Sequence, residues 1–359
     1  MIKYPHIILW VIMMKKKIIA AVMAALLVIA GVPFISGCSA SAAYTLCEDD
    51  FGEKYYTVKC TGFTSALNGV LEIPETYGEG EDSAPVRVIS REAFRGTNIT
   101  ELVIPASVKQ IDMAAFANCG MLKKVTFAEG SPLTEISQGQ FGYCNSLTEV
   151  ILPQGLQKIG VYAFTGCKHL MNIELPQTLT EISSQAFSEC EFLQSINLPE
   201  GLKTIGERAF YMSGLTEITV PSSVKDVTVT TENDKGEEVS EVRYGLGVGA
   251  FWCCESLKTA KIYAEIETIT SSVFGYCTQL EEIYLPTTLK KIDGAKYVDG
   301  AFYCGHAFHN DPALKKVYFA GSEAEWQSVE VVANSVTIGG ETSDNLAILN
   351  AAKTYNANY

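Results

Sequence analysis

The chain has 359 residues, 47% of them hydrophobic and 19% charged, with 27 basic against 41 acidic residues and a formal net charge of −14. That apolar content is ample for a core. The acidic balance argues against nucleic acid or an anionic lipid surface as the main partner, since both need clustered positive charge.

The amino terminus is read as an export segment. Lys15, Lys16 and Lys17 are a basic start, Ile18 to Ala30 an apolar run, and Gly31 and Pro33 break it. Residues 1–37 are therefore set aside from fold reasoning. Ile35-Ser36-Gly37-Cys38 resembles the lipobox of bacterial lipoproteins, and that resemblance implies that Cys38 becomes the lipidated first residue of the mature chain. An ordinary cleaved signal and a membrane anchor are the alternatives. Ile18 to Ile35 is only 18 residues and contains Gly and Pro, at the short limit for a span. Within residues 1–13, Ile7 to Met13 puts an apolar run ahead of the lysines, where a signal is polar, so the start is read as over-extended.

Residues 38–43 are then the lipidated cysteine and a short spacer. Residues 44–85 are predicted to be an amino-terminal β cap with a degenerate first repeat. Tyr55 to Cys60 is rich in β-formers and Asn68-Gly69 is a strong turn pair. Cys47 and Cys60 could face each other there as a disulfide, the alternative being two buried thiols.

A repeat occupies residues 86–319. Its clearest copy is Leu193-Gln-Ser-Ile-Asn-Leu-Pro-Glu-Gly-Leu-Lys-Thr-Ile-Gly-Glu-Arg-Ala-Phe210, and the copy ending at Phe187 lies 23 residues earlier. Self-similarity at that period predicts a solenoid of stacked coils. In Ile-x-Leu, alternate side chains point inward, and Pro then ends the strand. The second apolar pair, such as Leu202 and Ile205, suits a short extended segment on another wall. Ala before Phe lets the coils close, and the phenylalanines stack as a spine. The spacing places Phe94, Phe116, Phe141, Phe164, Phe187, Phe210, Phe251, Phe274 and Phe302 in it. Residues 228–247 interrupt the array and read as a protruding hairpin, either a binding feature or tolerated decoration. Residues 320–359 form a carboxy-terminal cap. Ser322-Glu-Ala-Glu325 is a capping box opening a short helix, and Trp326 is placed as a plug on the last coil.

The spacing, the Ala-Phe pair and the Leu-Pro corner resemble the BspA-type class of bacterial leucine-rich repeats over about residues 44–359. The resemblance implies a β-rich leucine-rich-repeat solenoid of about nine coils, with short parallel strands and a cap at each end. It also implies a surface or secreted protein. Several members act as adhesins toward host matrix proteins or other microbes, and the family has no shared catalytic residues.

Cys119, Cys144, Cys167, Cys190, Cys254 and Cys277 each sit three residues after a spine phenylalanine, with Ser213 at that place in one coil. A metal or redox array is the sharp interpretation. Parallel Cβ atoms about 4.8 Å apart exceed disulfide reach, so reduced, buried thiols are favoured. Cys304-Gly-His306-Ala-Phe-His309-Asn-Asp311 has metal-ligand residue types but no second half, and is read as a solvated turn with no metal. No nucleophile elbow or phosphate loop is present, so neither catalysis nor a cofactor is expected.

The strand alternation gives two outward columns. One runs Glu101, Lys124, Glu149, Asn172, Ser195, Glu217, Thr259, Glu282, Lys316; the other runs Val103, Thr126, Ile151, Glu174, Asn197, Thr219, Lys261, Tyr284, Tyr318. Lys261, Tyr284, Lys316 and Tyr318 combine aromatic and basic groups and are the candidate ligand face, against a generic solvated sheet. The expectation is a binding protein or adhesin, without catalysis. It would be lipid-anchored on the outer side of a bacterial membrane, or else secreted. Its partner would be a protein or glycan on a host or neighbouring cell. The alternative is an envelope-organising lipoprotein with no soluble ligand.

Overall fold

A computed structural model describes residues 41–61, 64–232, 238–298, 301–338 and 341–358. The expected export segment, Cys38 and the start of the expected spacer lie outside them. Among the described residues no helix is long and apolar enough to cross a membrane.

Each coil has three sides, and each side is hydrogen-bonded to the next coil by a different device. The first wall consists of the Ile-x-Leu strands. Asn68–Glu72, Asn98–Ile104, Lys124–Phe127 and Glu149–Ile151 pair in parallel, in that order. A second parallel run joins Glu217–Val220, Thr259–Ile262, Glu282–Leu285 and Lys316–Phe319. The coils carrying Ile173 and Ile196 between these runs have no strand on this side. The second wall takes over there. Glu135–Ile136, Lys158–Ile159, Glu181–Ile182 and Thr204–Ile205 pair through the middle of the molecule. Alternation accounts for both walls: Ile159, Ile182 and Ile205 are fully buried, while their neighbours Lys158, Glu181 and Thr204 are half-buried.

The third side is the Ala-Phe turn. From Phe94 to Phe274, residues two before and two after the spine phenylalanine take positive φ, as at Gln185 (54°) and Glu189 (59°) around Phe187. For non-glycine residues this costs roughly 1–2 kcal/mol each. Inter-coil hydrogen bonds offset the cost: Gln185, Phe187 and Glu189 donate their N–H groups to Glu207, Ala209 and Tyr211 at 2.7–2.8 Å. The same three-bond pattern recurs at Phe116, Phe141, Phe164 and Phe210.

Phe94, Phe116, Phe141, Phe164, Phe187, Phe210, Phe251, Phe274 and Phe308 are fully buried and stacked ring on ring, with centroids 5.4–5.7 Å apart and planes within 21°. Each contributes about 2–3 kcal/mol of apolar burial. The last member corrects the sequence expectation. Phe308, not Phe302, stacks on Phe274. Phe302 lies on Ala301–Cys304, opposite Tyr297 in an antiparallel pair with Lys296–Val298. The chain makes a hairpin there before the coil closes, and a second Ala-Phe dipeptide closes it.

The amino-terminal cap brings two further corrections. Its first strand, Ser41–Glu48, starts inside the predicted spacer, because Ala42 and Ala43 continue the antiparallel pairing with Lys54–Thr61. In that register Cys47 faces Tyr55 and Cys60 faces Ala42. The two sulfurs are therefore about 17 Å apart along the strands and do not form the expected disulfide. At the other end, helix Glu323–Gln327 has its full capping box on Ser322 and Glu325, and Trp326 packs edge-on against Phe319 at 5.4 Å. Helix Leu346–Asn350 then leads into Ala352–Thr354, which adds a last parallel strand to the first wall.

Candidate functional site

The candidate face lies on the last run of the first wall, where strand register aligns equivalent residues across coils. Thr219, Lys261, Tyr284, Tyr318 and Thr354 form one row. Glu217, Thr259, Glu282 and Lys316 form the row beside it. All four candidate residues thus share one surface.

The Tyr284 and Tyr318 rings stand face to face, with centroids 4.3 Å apart and planes at 12°. The Lys261 ammonium sits 5.7 Å from the Tyr284 centroid, a cation–π distance. Lys316 is tied to Glu282 at 2.7 Å. The ion pair holds the ammonium above its usual range, and partial burial pushes the Tyr284 phenol up. The row is therefore ordered before any ligand arrives. One cation braces the stack and the other is neutralised beside it. The small Thr354 follows Tyr318 in the row. On the same wall, Lys124 pairs with Glu149 at 2.8 Å, and Ile151 is an isolated exposed side chain.

The cysteine ladder is buried throughout. Cys119, Cys144, Cys167, Cys190, Cys254 and Cys277 are fully buried free thiols. Each donates its S–H to the carbonyl of the spine phenylalanine one coil earlier, at 3.1–3.3 Å. Burial pushes Cys167 and Cys254 up to about 12. From Cys144 to Cys277 these thiols are inert small side chains that satisfy carbonyls, with little thiolate character, whereas hydrogen bonding with Cys144 and Thr97 lowers the pKa of Cys119, at the start of the ladder. Thr97 and Asp311 occupy the same place at the two ends of the ladder, three residues after Phe94 and Phe308.

The segment from Cys304 to Asp311 is not the solvated turn expected. His306 is fully buried, and His309 and Asp311 nearly so. These residues join the last coil to the cap. The Ser343 hydroxyl oxygen accepts from the His306 backbone N–H at 2.9 Å and lies 2.9 Å from its Nδ1. The Asn345 carbonyl oxygen accepts from the Phe308 N–H at 3.1 Å, and its amide donates to Asp293 and Val332 at 3.0 and 2.7 Å. Burial holds the His306 imidazole below its usual range. His309 Nε2 lies 3.2 Å from the Tyr276 hydroxyl. Among the described residues no group of His, Cys, Asp and Glu could hold a metal ion.

One further surface lies on the turn side, outside the strand columns. Tyr211 and Trp252, each directly after a spine phenylalanine, meet at 5.2 Å, and the Arg208 guanidinium lies 5.1 Å from the Trp252 ring centroid. Counting columns from the spine phenylalanine, as for the strands, places these side chains together.

The BspA type leucine rich repeat region family matches residues 87–138, 130–231 and 241–304, in six copies. The fold is similar to that of a leucine rich cell surface protein from Faecalibacterium prausnitzii, at 22% identity over 84% of this chain and 99% of that one, with a TM-score of 0.46. It is also similar to a leucine-rich repeat protein from Bacteroides ovatus, at 20% identity over 90% and 91% of the two chains and a TM-score of 0.38. The pneumococcal vaccine antigen PcpA is similar at 18% identity over 77% and 79%, with a TM-score of 0.47. No curated protein matches the chain.

Proposed function

The chain belongs to the BspA-type leucine-rich repeat family, and on that premise we propose that it is a non-catalytic binding protein displayed on a bacterial surface. Its anchor is a lipid on Cys38, and its ligand is a protein or glycan on a host or neighbouring cell. The observation that carries the reading is the ordered row of Lys261, Tyr284 and Tyr318. Stiff aromatic side chains fixed before binding lose little entropy on contact, and tyrosine is enriched at binding hot spots. Apart from the exposed Val70 and Ile151, the rest of this wall is largely polar or ion-paired, the composition of a solvated sheet.

The test is binding of the purified protein to immobilised extracellular-matrix proteins, glycans and envelope fractions. Replacing both tyrosines, Tyr284→Ala with Tyr318→Ala, is expected to weaken capture by roughly 2 kcal/mol, about thirtyfold. Undiminished binding removes this face from consideration. Binding to envelope fractions alone, indifferent to the tyrosines, favours the envelope-organising role instead. Metabolic labelling with a fatty acid, lost in Cys38→Ser, tests the anchor.

A further inference from the structure

We propose that the base of the hairpin insertion forms a second binding cleft, separate from the tyrosine row, that takes an uncharged saccharide. The proposal rests on the surface-binding role above and names a ligand class for it.

The second wall is broken where the insertion leaves and rejoins the solenoid. Between Thr204–Ile205 and Thr268–Ile269 its place is held by Leu246, through a single parallel bridge to Ile205. Strands Val227–Glu232 and Glu238–Arg243 rise from this break as an antiparallel pair. A cleft of about 410 Å³ opens at their foot, lined by Lys225, Thr228, Tyr244, Glu265, Thr268 and Thr288. Small-molecule clefts span ~300–1,000 Å³.

Its walls are fixed in advance. The Asp226 carboxylate accepts from the Gly245 N–H at 2.9 Å and from the Glu267 N–H at 3.0 Å, which ties both arms of the insertion to the coil that follows. The arms meet so closely that a Cβ on Gly245 would fall 2.6 Å from the Lys225 carbonyl, so only glycine fits. Lys225 in turn bridges to Glu265. A rigid foot of this kind spares a ligand the cost of ordering the loop.

The lining selects by exclusion. Val242 is the one aliphatic side chain in it, too little apolar surface to drive burial of a lipid or a hydrophobic peptide anchor. Glu267 is paired with Lys290 at 2.5 Å, and Asp226 and Glu265 still outweigh Lys225. Phosphate, sulfate and other anions therefore find no surplus positive charge. What remains is threonine hydroxyls, a tyrosine and an exposed carboxylate. The Thr288 hydroxyl donates to the Ile266 carbonyl at 2.8 Å and keeps lone pairs for an incoming donor. Carboxylate and hydroxyl groups accept from, and donate to, a ligand rich in hydroxyls and poor in charge. Tyr244 adds an aromatic side chain to this lining.

Affinity electrophoresis of the full chain through gels containing mannan, xylan, β-glucan or dextran tests this. At least one polysaccharide is expected to retard the protein. Glu265→Gln with Thr268→Val should weaken that retardation at least tenfold, while the Tyr284→Ala, Tyr318→Ala variant is retarded like the wild type. Glu265→Gln alone, an exposed isosteric change, decides the matter should the double variant fail to fold by circular dichroism. No retardation in any gel, or retardation indifferent to Glu265, overturns the cleft. If matrix-protein capture still depends on the tyrosines in that case, the surface-binding role stands without it.

Discussion

The coil around Phe187 and the coil around Phe308 set a phenylalanine at the same point of one spine and surround it with opposite chemistry. At Phe187 every need is met one coil away. Its N–H finds the Ala209 carbonyl at 2.8 Å, and Cys190 at the ladder position donates to Phe164 at 3.3 Å. At Phe308 no further coil follows. The carbonyl its N–H requires is supplied by the side chain of Asn345, 37 residues downstream. Ser343 likewise takes the place of the next coil's carbonyl for the His306 N–H. The array thus ends by replacing backbone acceptors with side-chain acceptors from the cap. A repeat can be extended indefinitely with one set of residues, but stopping it takes residues found nowhere else in it.

Two substitutions separate these ways of satisfying the same ladder. Phe187→Ala opens a cavity among fully buried neighbours and is expected to cost about 3–5 kcal/mol. Amide exchange should rise in the coils on both sides, and an unchanged melting curve would refute the spine. Asn345→Ala removes the side-chain partner of the Phe308 N–H and of the Val332 carbonyl, and leaves the Asp293 carbonyl only the Ala307 N–H. We expect a loss of about 2–3 kcal/mol, the scale of buried polar groups left unsatisfied. Faster exchange should be confined to the last coil and cap. Loss of protection as far back as Phe187 would mean that the joint holds the whole solenoid rather than closing it.

The walls were legible because they depend on short-range alternation, which a one-residue shift would invert. The tyrosine row followed from the same rule, since parallel register keeps equivalent residues abreast. Phe302 and Phe308 show its limit. Both follow an alanine, and the first lay nearer the expected spacing. A leucine six residues on marks most of the spine, though not Phe94 or Phe210: Phe187 has Leu193, Phe274 has Leu280 and Phe308 has Leu314, whereas Phe302 has Phe308 itself. The Cys47–Cys60 expectation failed for a different reason, because the hairpin turn at residues 49–53 sets a register that composition does not reveal. The buried joint was hidden because His306 and Asp311 are polar residues in a long turn. Their burial depends on a segment far downstream that the repeat pattern does not reach.

The smallest expected effect concerns the ladder position itself, where the two coils differ by a thiol against a carboxyl. Asp311 is buried, its Oδ1 accepts from the Cys277 N–H at 2.8 Å, and its Oδ2 has no hydrogen-bond partner. Burial therefore raises its pKa well above the ordinary carboxylate value. The folded chain holds this proton at a pH where the unfolded chain has lost it. Stability from this group is thus full below the unfolded-state value, near 3.9, and declines as pH rises toward the folded-state value. A thiol at this place, as in Cys190, stays neutral throughout and carries no such slope. Asp311→Asn keeps the acceptor for Cys277 and cannot ionise. It should stabilise the protein at pH 7 by on the order of 1 kcal/mol, the scale of one buried hydrogen bond, and by little at pH 4. Melting temperatures of both proteins across pH 4 to 8 measure the difference. Parallel curves would mean that Asp311 is solvated in the folded chain and that the joint opens at the ladder's end.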